Sequence, residues 1–471
     1  MDKELLELLF DKGTETASIQ SEEMLLKALS AEYGTDAATY TGGQALRPED
    51  CETTMVNAMR EQPEDCMIMN TFKKRPIKST VHQYNRRTGT GEIDYATTEE
   101  GGLSQEDGQE VERIVRLVKY TQQYREVTEQ IIVTDTFEPA YESEKIAGTF
   151  NLLKINERLC IHGDKGVIPT EYDGLIAQIK NVDKDRRNII DFRGERIQDK
   201  GQKFIPEMVH MIHDQGGDAN KAFFPTILAV DIQELLQDRF RVGAEDKKMA
   251  PVFDSYPTPF GTVKIGLNSN CGPNKLFRVR GPITAKGKST ERPDAPLSVT
   301  GSARAASGSE FSQTTDAGNY IYEVFSVNMR GNSAGKTSAV VPVDVGEVVD
   351  LVITPDLTKN VTGFIIARTA PNGTVTMEMV RIGRDKENPT TAYTDFNKDL
   401  PGTTDMIFIT ERKIQTVAEF YQLLPLRLFP MNPVNRLVRP FILALWGGLD
   451  LKVPEWCGLV KNVAYEEGFY G

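Results

Sequence analysis

Gly331-Asn332-Ser333-Ala334-Gly335-Lys336-Thr337 is the stretch of this chain that most nearly spells a phosphate-binding loop. A P-loop needs four residues between its glycines, so that consecutive backbone N–H groups wrap a phosphate before Lys and Thr complete the site. Here there are three, and moving the first position back lands on Arg330. The flanks read as two strands rather than strand then helix, so a turn between strands is the expectation. His210 and His213 are spaced to share a helix face and could supply two metal ligands. Glu207 and Asp214 are their only near carboxylates, no set is completed, and a surface or half-buried pair is the preferred reading. Four histidines and no GxSxG elbow leave little material for Ser-His-Asp hydrolysis. Asp183 and Asp185 sit among Lys and Arg and read as solvated surface. Cys51, Cys66, Cys160, Cys271 and Cys457 are scattered with no CxxC pair and read as reduced thiols. No catalytic, cofactor-binding or metal-ligating residue is assigned, and the chain is not expected to be an enzyme.

The 471 residues suggest about two to four domains. Hydrophobic content of 39% with 26% charged residues is ordinary for a globular chain. A net charge of -13 argues against a general nucleic-acid binder, which needs a basic face, but leaves room for a protein that encloses nucleic acid without gripping it. MDKELLELLFDKG carries acids through its apolar residues, which does not fit a secretory signal and makes cytoplasmic synthesis the expectation. The longest charge-free apolar run, Pro440 to Leu449, is about half a membrane span, so no membrane partner is expected.

Residues 1–44 read as two short helices and a linker. From Arg47 a helix is expected to about Gln62, and KKRPIKSTVHQYNRR and EVERIVRLVKY read as two strands joined by a long polar tip into an extended hairpin. Arg86, Arg87, Arg113 and Arg116 lie on that hairpin, while Glu99, Glu100, Glu106 and Asp107 crowd its tip. These charges are either a solvated surface or salt bridges to a neighbouring subunit. Apolar residues at 146, 150 and 153, and at 152, 155 and 159, predict a long helix from about Pro139 to Ile161. Strand and helix alternate as far as the strand at Gly261 to Leu267, an α+β pattern. From about Arg292 to Glu411 the runs LSVTGSAR, YIYEVFSVN, SAVVPV, VVDLVITP, GFIIART, VTMEMVRI, TAYTDF and DMIFIT predict an inserted β-sandwich. Phe420 to Tyr465 is expected to be cut by its prolines into short buried strands that pair with strands far upstream, and replacing 292–411 by a linker is expected to leave that core foldable.

This order resembles the major capsid proteins of tailed bacteriophages with the HK97 fold, in particular those of large SPO1-like and Twort-like myoviruses. The resemblance is carried by ALRPEDCETTMVNAMREQPEDC, FKKRPIKSTVHQY, CIHGD with EYDGLIAQI, RPDAPLSVTG, and FYQLLPL with FILALWGGLDLKVPEWCGLVKNVAY, which together bracket nearly all of residues 45–466. It implies an α+β HK97-like fold. Residues 1–44 would be an N-terminal helical extension and linker, 45–77 the N-arm, 78–128 the E-loop, and 129–163 the peripheral domain with its spine helix. Residues 164–285 would form the axial domain, 292–411 an immunoglobulin- or fibronectin-III-like insertion, and 412–471 the return to the axial and peripheral domains.

The implied function is structural. Many copies would assemble as hexameric and pentameric capsomers, with scaffold and portal proteins, into an icosahedral shell around double-stranded DNA. Decoration proteins are further implied partners, the DNA would be enclosed without sequence-specific binding, and the implied location is the virion, after synthesis in the bacterial cytoplasm. Some relatives crosslink a hairpin Lys to an Asn, but Gly89 to Gln109 contains no Lys, so a noncovalent shell is expected and Asn462 alone assigns nothing. An encapsulin-like nanocompartment is the alternative within the fold. An enzyme with a sandwich appendage, and a glycan-binding or adhesion protein, are the alternatives outside it. Tyr320, Tyr322 and Phe325 are expected to pack the sandwich core rather than offer a glycan platform.

Overall fold

The computed structural model describes residues 67–89, 108–134, 139–237, 255–268, 280–285, 287, 289–411, 417–433 and 436–465. The expected N-terminal helices, most of the arm, the hairpin tip with Glu99, Glu100, Glu106 and Asp107, and Cys51, Cys66 and Cys271 lie outside the described residues.

The described chain begins with a short helix α1 (Met67–Thr71), strand β1 (Lys73–Pro76), the hairpin strands β2 (Val81–Gly89) and β3 (Glu110–Leu117), and β4 (Lys119–Thr128). Then come α2 (Glu129–Val133), the long α3 (Ala140–His162), α4 (Leu175–Lys180), β5 (Asn188–Asp191), α5 (Ile197–Lys200), α6 (Phe204–Asp214), β6 (Ala219–Pro225), α7 (Ala229–Gln237), β7 (Ser255–Thr258) and β8 (Gly261–Asn268). A run of strands follows: β9 (Ser298–Ala305), β10 (Gly318–Tyr320), β11 (Tyr322–Asn328), β12 (Gly331–Thr337), β13 (Val341–Val343), β14 (Glu347–Thr354), β15 (Gly363–Arg368), β16 (Met377–Gly383) and β17 (Thr391–Asp395). The chain closes with β18 (Thr403–Thr410), β19 (Ala418–Pro430), β20 (Val438–Leu451) and β21 (Gly458–Ala464).

Early and late strands of the described chain meet in a four-stranded sheet of order β1-β19-β20-β4. Its central strands come from the apolar stretch near the carboxyl end, and β20 pairs with β4 from Val438↔Thr128 to Gly447↔Lys119. The prolines do not cut this stretch as expected. Pro425 lies inside β19, where register shifts between Gln422 and Leu424 and between Leu424 and Arg427 let the strand pass it as an irregularity. Pro440 lies near the start of β20 and its carbonyl accepts the Met431 N–H at 3.0 Å.

Helix α3 packs across this sheet at the residues expected to be helical, but on a different face. Ile146 and Ile155 are 53% and 40% exposed, while Gly148, Leu152, Asn156, Glu157, Cys160 and Ile161 are buried. Counting apolar residues misses this face because two of its members are polar groups with buried partners: the Asn156 amide donates to the Leu152 carbonyl at 2.9 Å, and Glu157 accepts backbone N–H groups from far upstream. Gly148 allows the close approach, since a Cβ there would stand 2.6 Å from Leu443 Cδ1 of β20.

The six-stranded sheet has order β5-β21-β18-β6-β8-β7. Here the structure corrects the sandwich boundary. DMIFIT, the last of the eight runs assigned to the insertion, is β18, between β21 and β6. All eight of its residues are buried because alternate side chains serve two cores: Ile407 and Ile409 face the core shared with α3 and α4, Met406 and Phe408 that of α6 and α7. A turn-punctuated β pattern does not say which sheet a run joins, whereas burial on both faces marks a central strand. The strand read through AFFPTILAV likewise stops at Pro225, where a helical turn leads into α7.

Strands β9 to β17 form a β-sandwich: β12-β11-β15-β16 faces β17-β14-β9, with β10-β13 as a separate pair. Val324, Phe364 and Ile366 from one sheet interleave with Val349, Leu351 and Ile353 from the other.

Candidate assembly surface and the groups that hold it

The hairpin β2–β3 has two unlike faces because side chains alternate along each strand. His82, Tyr84, Arg86, Ile114 and Arg116 point toward the body, and Val81, Gln83, Arg87, Val111, Arg113, Val115 and Leu117 point away. The inner face is stapled by charge. Arg116 donates through Nε to Asp450 Oδ1 at 3.3 Å, through Nη1 to Asp173 at 3.4 Å and through Nη2 to Gln178 at 3.1 Å. Arg86 bridges Glu112 of the hairpin and Glu455 of the body, each at 3.2 Å. His82 stacks on Tyr421 at 5.2 Å, and the Tyr421 hydroxyl donates to the Leu117 carbonyl at 3.1 Å. Burial pushes the Asp450 carboxyl up and the His82 imidazole down, so Arg116 is the cation that keeps this pocket balanced.

Of the candidate inter-subunit residues, Arg86 and Arg116 are therefore engaged within their own chain. Arg87 is exposed on the outer face, as is Arg113, which among the described residues reaches only Asn85 at 3.4 Å. Beside them Val111, Val115 and Leu117 are 61%, 51% and 58% exposed, and Tyr120 and Tyr124 continue the exposed apolar surface along β4.

Two buried groups that the motif reading missed hold the frame of this surface. Glu157, in the buried face of α3, accepts the N–H groups of Ile68 and Met69, tying α1 to the long helix. Burial pushes its carboxyl up to about 7 against the opposing effect of those two N–H groups. Arg280 closes the root of the sandwich. Its N–H donates to the Thr403 carbonyl at 2.9 Å, its carbonyl accepts from Gly402 at 2.7 Å, and its guanidinium holds Asp405, Thr403 and Asn462. The two connections to the sandwich thus leave the body side by side. A lone acid in an apolar helix face, and Asp450 inside GGLDLKV, are the sequence signals that could have flagged such groups.

The chemical candidates resolve simply. Gly331–Thr337 is β12 itself, antiparallel to β11, with Lys336 and Thr337 exposed and no helix following. A strand whose backbone is engaged in a ladder cannot wrap a phosphate. His210 and His213 lie on α6 against Phe260 and pair with Asp214 and Asp218 at 3.4 and 3.5 Å. Among the described residues no group of three or more His, Cys, Asp or Glu could hold a metal ion. Asp183 and Asp185 are exposed, and Cys160 and Cys457 are buried, the Cys160 Sγ 3.3 Å from the Tyr172 hydroxyl. Asn462 is buried, donating to Asp191 and to the Lys398 carbonyl at 2.8 Å each. Tyr320, Tyr322 and Phe325 are buried in the sandwich and at its seam with the body. No described helix is long and apolar enough to cross a membrane.

No protein-family model and no curated protein matches the chain. Solved structures do. The chain is similar to a structure from Gordonia phage Cozz at 10% identity and a TM-score of 0.46, covering 92% of this chain and 98% of that one. It is similar to the capsid of a native GTA particle at 10% identity and a TM-score of 0.44, covering 92% and 100%. It is also similar to the SrpI encapsulin of Synechococcus elongatus at 8% identity and a TM-score of 0.42, covering 93% and 98%. These are likenesses at low identity, and what the chain does is read from its own geometry.

Proposed function

We propose that this chain is the major capsid protein of a tailed bacteriophage, with the HK97 fold, and that copies of it build the icosahedral shell enclosing the double-stranded DNA genome. The observation that carries the reading is the hairpin: its inner face is stapled to the body by Arg86 and Arg116, while its outer face leaves more than half of Val111, Val115 and Leu117 exposed among the described residues. A free monomer gains nothing from this arrangement, because exposed apolar surface is costly until another copy covers it. In this reading β2–β3 is the E-loop and α3 the spine helix of the peripheral domain, which is built on the four-stranded sheet. The six-stranded sheet is the axial domain, and the sandwich is an immunoglobulin-like insertion. The net charge of -13 suits a wall that must not immobilise the DNA it holds.

Light scattering of Val115→Asp against the parent chain tests the carrying observation. A charge at the centre of the outer face is expected to leave the subunit folded and block its growth into larger assemblies. Unchanged assembly would remove the hairpin from the interface.

A further inference from the structure

We propose that the seam between the sandwich and helix α3 is a docking groove for an acidic peptide segment of a partner protein, one whose carboxylates flank an apolar residue. Two clefts lie side by side along this seam. The first, of about 260 Å³, is bounded by the carboxyl half of α3, by Ile168 and Glu171, and by the facing edges of β11, β12, β15 and β16; Lys154, Arg158 and Arg381 line it. The second, a wider cleft of about 880 Å³, lies between Pro169 and the end of the sandwich and is lined by Arg384 and Lys386. Ile168, Asn328 and Met329 border both clefts, so a largely apolar ridge stands between two cationic compartments.

Arg330 and Lys359, which also line the second cleft, are paired with Glu291 and Asp294 at 3.1 Å each, but two arginines are not fully used inside the described chain. Arg158 has no hydrogen-bond or ion-pair partner among the described residues; burial and then the neighbouring Arg381 push its guanidinium down. Arg381 is held by Glu378 at 2.9 Å. Arg384 Nε is buried without a hydrogen-bond partner among the described residues. A guanidinium taken from water and left unpaired is costly, and an incoming carboxylate relieves that cost through charge-assisted, bidentate bonding. Glu171 is the acid within the first cleft, and burial pushes its carboxyl up. The seam itself is firm: a Cβ on Gly383 would stand 2.1 Å from the Gly166 carbonyl, so sandwich and body are in backbone contact there.

The form of the groove selects the ligand. A single inorganic anion fills one compartment and leaves the other unpaired. A phosphodiester backbone needs a continuous cationic track and meets an apolar ridge instead, on a chain of net charge -13. A peptide with an acid, an apolar side chain and a second acid matches both compartments and the ridge. This assignment concerns the single subunit and stands or falls apart from shell formation.

Fluorescence anisotropy on the full chain tests it, using labelled peptides with two Glu flanking a Leu, their Gln analogues, inorganic phosphate and a DNA duplex of equal charge. The acidic peptide is expected to bind about tenfold more tightly than its Gln analogue and to weaken about tenfold in Arg158→Gln and in Arg384→Gln. Lys386→Gln, at an exposed position, is expected to weaken binding with the thermal midpoint unchanged, which separates contact from misfolding. The proposal is overturned by failure of the acidic peptide to bind, by equal binding of the Gln analogue, or by unchanged affinity in all three variants. Complete displacement by millimolar phosphate, or equal affinity for the duplex, overturns it in favour of a simple anion or a nucleic acid.

Discussion

Glu157 accepts the backbone N–H of Ile68 through Oε1 at 2.7 Å, across 89 positions of sequence and with no exposure to solvent. Its second oxygen accepts from Met69 at 2.9 Å, so one side chain of the long helix terminates the first described helical turn. Burial raises its pKa from 4.5 to about 7. A raised carboxyl binds its proton more tightly folded than unfolded, so its contribution is full below about 4.5 and is lost as pH rises through about 7. The span corresponds to about 3 kcal/mol. Urea titrations at pH 5 to 8 are expected to show stability falling across that window. In Glu157→Gln the fall should largely disappear, at a cost of about 1–3 kcal/mol for the N–H left facing an amide donor. A variant that kept the parent slope would assign the titration to another group.

Arg116 is the second test of an internal staple. Arg116→Met leaves Asp450 and Asp173 without their shared cation and is expected to cost about 3 kcal/mol. Hydrogen exchange should accelerate in residues 81–89 and 110–117 while the β19–β20 pair stays protected. Equal protection of the hairpin in both proteins would show that Tyr421 and Arg86 hold it unaided.

The position of β18 gives opposite outcomes for two deletions. Removing 292–411 takes out the strand between β21 and β6 and is expected to yield insoluble protein. Replacing 283–397 by a short Gly/Ser linker keeps the pairing of Arg280 with Gly402 and Thr403. That shorter deletion is expected to give a soluble body with a lower thermal midpoint, because Val167 and Ile168 lose the apolar cover of Phe325 and Ile365. Circular dichroism melts of the two products decide; a folded 292–411 deletion would contradict the sheet assignment.

Much of this was legible in the sequence. Helix α3, helix α6, the hairpin strands, the insertion's strands and the upstream pairing of the last strands follow from period and turn residues. Three features were not. The face of α3 turns on Asn156 and Glu157, whose burial depends on partners that periodicity does not see. The continuity of β19 through Pro425 depends on register shifts set by the neighbouring strands. The allegiance of β18 depends on long-range pairing, which no local pattern specifies. The same holds for Arg86 and Arg116: their charges were visible, their partners Glu455 and Asp450 were not.

Electron microscopy of the purified full chain tests shell formation most directly. Closed, regular shells or capsomer rings are expected, and nucleic acid rather than protein cargo is expected inside shells recovered from virions. Discrete monomers under every condition of salt, pH and concentration would contradict the account.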